Sequence, residues 1–171
     1  MVSWHTVVAN DILPVVVGDC FWEDHLREII NNDTSPAGLH LAVFVEPYLG
    51  YILEGKKTVE SRFGMRRYAP YGQVAAGDIL LLKESSGPIL GLCRVSNVWF
   101  YSLNPNSWQH LRSEFAEALC AQDPDFWTQR AGASFATLMQ IDCVRAIEPI
   151  PFPKQDRRGW VVLRPPGLLF H

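Results

Sequence analysis

The chain has 171 residues, of which 48% are hydrophobic and 19% are charged, and its formal net charge is −3. This length suits one domain, with or without an appendage, and the composition excludes disordered, collagen-like and low-complexity proteins. No apolar run approaches the ~18 residues that a membrane-spanning helix needs. Residues 1–19 contain no Lys or Arg, which argues against a signal peptide. We therefore predict a soluble, cytoplasmic globular protein.

Residues 1–38 form an acidic extension in this interpretation, and residues 39–171 form the main domain. The β-branched residues 12–17 favour a short strand. Apolar side chains then recur at helical spacing through residues 22–30, which predicts one face of an amphipathic helix. Residues 31–38 are rich in Asn, Ser, Pro and Gly and are typical of a linker.

The rest of the chain carries strand patterns separated by turns, with few helices between them. Strands are predicted at residues 39–45, 57–63, 79–83, 89–101, 135–147 and 159–163. Helices are predicted after Pro47, from a cap at Ser107, and after Pro124. Parallel βαβ units would need a helix between most strands. The pattern therefore predicts an α+β fold, with a mostly antiparallel sheet curled into a small barrel flanked by helices.

Cysteines and histidines are spread singly along the chain. No two cysteines have the spacing of a zinc knuckle or a redox motif, and no two histidines form a helical metal-binding pair. A glycine-rich phosphate loop and a G-x-S-x-G serine motif are also missing. We expect neither a metal ion nor a cofactor.

Charge is distributed unevenly. Residues 1–54 have a net charge of −7, whereas residues 56–67 carry +4 and residues 154–164 carry +3. If the two basic segments meet in the fold, they make a positive patch that suits a polyanion. If they do not, they are separate solvated loops, and charge alone leaves both interpretations open.

The first basic segment contains the pattern G-x-K-x-x-E-x-R, at Gly55, Lys57, Glu60 and Arg62. On a strand, Glu60 and Arg62 point to the same side, roughly 6.5–7 Å apart. A carboxylate beside an arginine stays ionised and orients the guanidinium, which suits a polar ligand. The alternative is a surface ion pair worth well under ~1 kcal/mol.

This motif and its surroundings resemble the ASCH family, a branch of the PUA-like barrel fold. That family shows the same four-position pattern, followed by a Gly-Asp turn before a strand, here Gly77-Asp78. The resemblance covers residues 39–163. It implies a β-barrel flanked by helices, with a cleft beside the motif, and it implies RNA binding. Related PUA-like domains hold single-stranded or modified bases in a comparable cleft.

From the motif, its basic neighbours and the preceding helix we predict a set of ligand-binding residues for single-stranded RNA or a nucleoside. They are Gly55, Lys57, Glu60, Arg62, Arg66, Arg67 and Tyr48.

Some ASCH-like proteins are enzymes, so a hydrolase that acts on RNA or a modified nucleoside is the alternative. Lys57 would then handle protons, with Glu60 or Tyr51 assisting. In the branch that deacetylates N4-acetylcytidine, a threonine nucleophile takes the place that Glu60 holds here, and Thr58 is two residues away. A further alternative is a protein-interaction module that uses the acidic first 54 residues or the aromatic surface.

Overall fold

The computed structural model describes residues 3–154 and 156–167. Its six β-strands form one sheet in the order β2-β5-β4-β3-β1-β6. The parallel pair is β1 with β3, and the other neighbours are antiparallel. The strands are β1 (Leu39–Phe44), β2 (Val59–Gly64), β3 (Ile79–Glu84), β4 (Ile89–Ser102), β5 (Phe135–Ile150) and β6 (Trp160–Arg164). The predicted α+β fold with a curled, mostly antiparallel sheet is confirmed.

Short helices flank this sheet. They are α1 (Trp4–Val7), α2 (Leu13–Val16), α3 (Cys20–Asn31), α4 (Tyr48–Leu53), α5 (Pro105–Phe115) and α6 (Pro124–Arg130). A π-helical turn, Val8–Ile12, joins α1 to α2. Within the described residues, every helix is too short or too polar to traverse a lipid bilayer.

The strand predicted at residues 12–17 is wrong, because this segment is helical. Val8, Ile12 and Val16 are four residues apart and fully buried, which is the spacing of a helix face. Burial on the sheet therefore overrides the strand preference of the β-branched side chains. The π-helical turn ends two residues before Pro14, whose missing N–H interrupts the regular hydrogen-bond ladder.

The amphipathic helix predicted at residues 22–30 is confirmed as α3. The Asp19 carboxylate caps it by accepting from the backbone N–H of Trp22 at 3.3 Å. Trp22, Leu26 and Ile29 are buried against one face of the sheet, in the same core as α1 and α2. The indole of Trp22 also donates to the carbonyl of Cys143 on β5, at 3.0 Å. The N-terminal helices thus supply much of one core, while the division into extension and domain stays a prediction.

The predicted linker, residues 31–38, is fixed to β6 by a single side chain. The Arg164 guanidinium donates to the carbonyls of Asn32 (3.1 Å), Asp33 (3.2 Å) and Ser35 (2.9 Å), and also to that of Ala37. These carbonyls lie outside regular secondary structure, so Arg164 satisfies acceptors that would otherwise need water.

Farther along the chain, α5 begins earlier than predicted. Asn104 caps the helix instead of Ser107, and Pro105 occupies the first turn. The Asn104 side chain accepts from the backbone N–H of Ser107 at 2.9 Å, and the Ser107 hydroxyl accepts from the N–H of Asn104 at 2.8 Å. Ser107 therefore completes a reciprocal capping box from inside the helix.

The Gly77-Asp78 turn holds three strands together. Gly77 has a φ of +97°, a conformation that favours glycine. The buried Asp78 carboxylate accepts from the N–H groups of Gly38 (2.7 Å) and Ala75 (3.0 Å), and pairs with Nε2 of His40 at 2.7 Å. Nδ1 of His40 accepts from the indole of Trp160 on β6, so Nε2 carries the proton that faces Asp78. This network links the start of β3 to β1 and β6.

Candidate functional site

Arg62 bridges the two edge strands of the curled sheet, β2 and β6. Its Nη1 donates to the carbonyl of Gly159, immediately before β6, at 2.9 Å. Its guanidinium carbon lies 4.8 Å from the ring centroid of Phe44 and 5.2 Å from that of Trp160, which places the charge over both aromatic faces. The two basic segments, residues 56–67 and 154–164, therefore meet at this seam.

A cleft of about 380 Å³ opens beside the motif, which is within the usual range of ligand sites. It combines residues from β1, β2, α4 and α6 with the segment before β2. Its lining is Val43, Phe44, Val45, Tyr48, Lys57, Glu60, Ser61, Arg62, Phe63, Phe126, Gln129 and Arg130.

Lys57 lies at the buried end of this cleft. After α4, Gly55 takes a φ of +79°, and the chain folds back so that the N–H of Lys57 bonds to the carbonyl of Tyr51. Only 2% of Lys57 is exposed. Its ammonium donates to the carbonyl of Leu119 at 3.0 Å and lies 5.5 Å from the ring centroid of Tyr48. Burial lowers the pKa of Lys57, and the charge of Glu60 opposes that change.

Glu60 is buried between Lys57 and Arg62, with 7% of its side chain exposed. Its Oε1 accepts from the backbone N–H of Ser61 at 2.6 Å and lies 3.9 Å from Nε of Arg62. Its Oε2 is buried and has no hydrogen-bond partner among the described residues. A buried carboxylate oxygen without a donor is costly, so Oε2 is an acceptor whose hydrogen-bonding capacity is unsatisfied.

Helix α6 supplies a wall of the cleft that sequence reasoning missed. Arg130 donates to the carbonyl of Phe126 at 2.8 Å, and its guanidinium carbon lies 3.6 Å from the Phe126 ring centroid. Phe126 in turn packs edge-on against Tyr48, with ring centroids 6.1 Å apart. The four-residue spacing of Phe126 and Arg130 on a helix is the sequence signal for this contact.

Four predicted site residues come together in the cleft: Tyr48, Lys57, Glu60 and Arg62. The other four lie elsewhere among the described residues. Gly55 shapes the turn after α4. Tyr51 lies outside the cleft lining, with its ring 5.8 Å from the ammonium of Lys56.

Arg66 and Arg67 lie past the end of β2, and both are exposed. Arg66 lines a neighbouring cavity. The guanidinium of Arg67 is 5.0 Å from the ring centroid of Phe135 and 5.9 Å from that of Tyr71. In the part of the chain that the structure describes, no three His, Cys, Asp or Glu side chains are grouped as a metal site would require.

A comparison with protein families matches residues 43–150 to the ASCH domain. This chain belongs to the ASCH domain family. The match contains the whole motif, strands β2 to β5 and the last two residues of β1, whereas the rest of β1 and all of β6 lie outside it. No curated protein matches the sequence.

Solved structures of similar fold include further ASCH proteins. The ASCH protein of Zymomonas mobilis is 17% identical, with a TM-score of 0.59 over 74% of this chain and 87% of that one. A serine-to-alanine mutant of that same protein is 16% identical, with a TM-score of 0.61 over 76% of this chain and 91% of that one. A protein from Enterococcus faecalis is 12% identical, with a TM-score of 0.50 over 80% of this chain and 97% of that one. At these identities the likeness establishes a shared fold, consistent with a PUA-like architecture.

Proposed function

We propose that this ASCH protein binds RNA by holding one base in the cleft beside Lys57, Glu60 and Arg62. The observation that carries the proposal is the carboxylate of Glu60, a residue of the cleft lining, whose buried Oε2 has no donor among the described residues. A base with an amino or imino N–H would satisfy that oxygen. ASCH domains are generally associated with RNA binding, which supports this choice of ligand.

Other residues of the cleft can contact the remaining polar atoms and the flat faces of a base that bonds to Glu60. Lys57 and Arg62 provide donors on either side of the carboxylate, for carbonyl or ring-nitrogen acceptors. The rings of Tyr48 and Phe126 provide flat apolar surface in the same cleft. Burial makes each of these polar contacts discriminating, because a base with the wrong pattern leaves a buried group unpaired.

Glu60→Gln should reduce affinity for the preferred ribonucleotide roughly tenfold to a hundredfold, since a hydrogen bond to a charged group contributes about 1.5–3 kcal/mol. Preference among the four bases should fall as well, because the amide presents a donor as well as an acceptor. Fluorescence anisotropy or calorimetry with each ribonucleotide measures both effects.

Lys57→Met is the companion variant, since it keeps the length of the buried side chain and removes its donor. Arg27→Ala, on α3, is the control, because the Arg27 side chain is half exposed, pairs with Glu23 and is not part of the cleft lining. Unchanged affinity and base preference in both cleft variants, with normal melting, would rule out recognition at this site.

A second candidate, a hydrolase acting on RNA or a modified nucleoside, has one observation in its favour. Burial lowers the pKa of Lys57, which brings an amine closer to the range where it can accept a proton. Catalysis would also need a nucleophile or an activated water. The carboxylate of Glu60, which lines the same cleft as Lys57, is a candidate for either role.

For deacetylation of N4-acetylcytidine we expect no reaction above the uncatalysed rate. Glu60 stands at the position where the resemblance implies a threonine nucleophile, and a carboxylate there repels the negative charge that develops during attack on the amide. Mass spectrometry that follows cytidine release checks this. Rapid release that Lys57→Met abolishes would contradict the prediction and favour the enzyme.

The cytoplasmic location and possible protein partners stay predictions.

A further inference from the structure

Two further cavities continue from the cleft along the β2–β6 seam. The first, about 130 Å³, shares Arg62 and Phe63 with the cleft and extends past Arg66 to Tyr68. The second, about 520 Å³, shares Tyr68 with the first and is lined by Arg158 and Trp160, among others. Neighbouring cavities share lining residues, so the three lie side by side along the seam, and we refer to them together as the groove.

Tyr68 lies where the two outer cavities meet. It is 71% exposed, and it lines both of them. Exposure of so much of an aromatic ring to water is unfavourable. In a groove, such a ring offers a face on which a base can stack. Phe100, 40% exposed, packs against Tyr71 on the wall of the first outer cavity, with ring centroids 5.3 Å apart.

The charge along this groove is positive on both sides. Arg66 and Arg67 follow β2, and Arg157 and Arg158 precede β6, all of them exposed. On the β6 side, the carboxylate of Asp156 forms ion pairs with Lys154 and Arg158, with nitrogen–oxygen distances of 2.6 Å and 2.9 Å. These bonds lower the pKa of Asp156, so it stays ionised and neutralises only one of the neighbouring cations.

We propose that this groove binds the nucleotides that flank the base in the cleft, so that the ligand is a single-stranded RNA segment and not an isolated nucleoside. The inference rests on the proposed function of the cleft. Tyr68 stacks a flanking base, and Arg66 and Arg158 contact phosphates on either side of it. The basic segments of residues 56–67 and 154–164 then act as one surface because Arg62 joins them at Gly159.

The test compares a mononucleotide with an oligonucleotide. Binding of the four ribonucleoside 5′-monophosphates and of a random-sequence single-stranded RNA hexamer is measured at several salt concentrations. We expect the hexamer to bind at least tenfold more tightly than the best monophosphate. Its log–log salt slope should be steeper by about 0.7 for each added phosphate contact.

Arg66→Ala, Arg158→Ala and Tyr68→Ala should each weaken hexamer binding fivefold or more and leave monophosphate binding unchanged. Tyr68→Phe should retain hexamer affinity, because it keeps the stacking ring. Arg27→Ala is the charge-matched control and should change neither ligand.

The possible failures are distinguishable. If the monophosphate binds and the hexamer gains nothing, the groove inference is overturned while the proposed function survives. If the variants weaken both ligands equally with normal melting, these residues serve the cleft alone, and the inference is again overturned. If neither ligand binds, both the inference and the proposed function fail.

Discussion

Deleting residues 1–36 should leave a protein that does not fold cooperatively. This segment contributes seven fully or almost fully buried side chains to the core on one face of the sheet: Val7, Val8, Ile12, Val16, Trp22, Leu26 and Ile29. Each contributes roughly 1.5–3 kcal/mol through burial, and a domain is stable by only about 5–15 kcal/mol in total. Deletion would also expose Leu39, Leu41 and Leu81 on the sheet. Thermal and urea melts followed by near-UV circular dichroism measure the result.

If the truncated chain is insoluble, point variants measure how much the N-terminal segment contributes to the free energy of unfolding. Trp22→Ala should lower the free energy of unfolding by about 3–5 kcal/mol, because it leaves a cavity and an unpaired carbonyl at Cys143. Val17→Ala, in the same segment but 62% exposed, should change it by less than about 0.5 kcal/mol. A truncated protein that melts cooperatively near the temperature of the full chain would instead show that residues 37–171 fold alone.

Asp78→Ala should destabilise the protein by about 3–5 kcal/mol. The substitution leaves the N–H groups of Gly38 and Ala75 without their acceptor and deprives His40 of its partner, all in a buried setting. Asp78→Asn should cost less, because the amide oxygen can still accept from one of the backbone N–H groups. Urea denaturation gives the free energy of unfolding for both variants.

Asp24 offers a matched control, since it is a carboxylate exposed on α3. Asp24→Ala should stay within about 0.5 kcal/mol of the parent protein. Equal effects of Asp78→Ala and Asp24→Ala would mean that the buried network around the Gly77-Asp78 turn does not stabilise the fold.

Much of the sheet was predictable because its strands carry strong local patterns. The alternation in β5 and the turn residues around Gly77 and Gly87 indicated strands, and they located the ends of those strands to within a few residues. The helix at residues 4–16 was missed because Val and Ile favour strands intrinsically, and only contact with the sheet decides between the two patterns. Pro14 added to the ambiguity by interrupting the helix.

The site was predictable as a short motif but not as a cleft. Glu60 and Arg62 are two residues apart on one strand, so alternation alone brings them together. Arg130 lines the same cleft from a helix far along the chain, and the sequence contains no direct signal that places α6 beside β2. The motif also gave no sign that Lys57 is buried, because strand alternation does not apply at a residue that follows a turn.

The contact between Arg62 and Gly159 has a consequence for association between molecules. An open sheet has two free edges, and the unpaired N–H and C=O groups of a free edge can recruit a strand from another molecule. Here β2 and β6 are those edges, and curling brings them together where the Arg62 side chain occupies the gap. A strand added at this point of either edge would have to displace the Arg62 side chain from Gly159, so we expect Arg62 to hinder strand addition there.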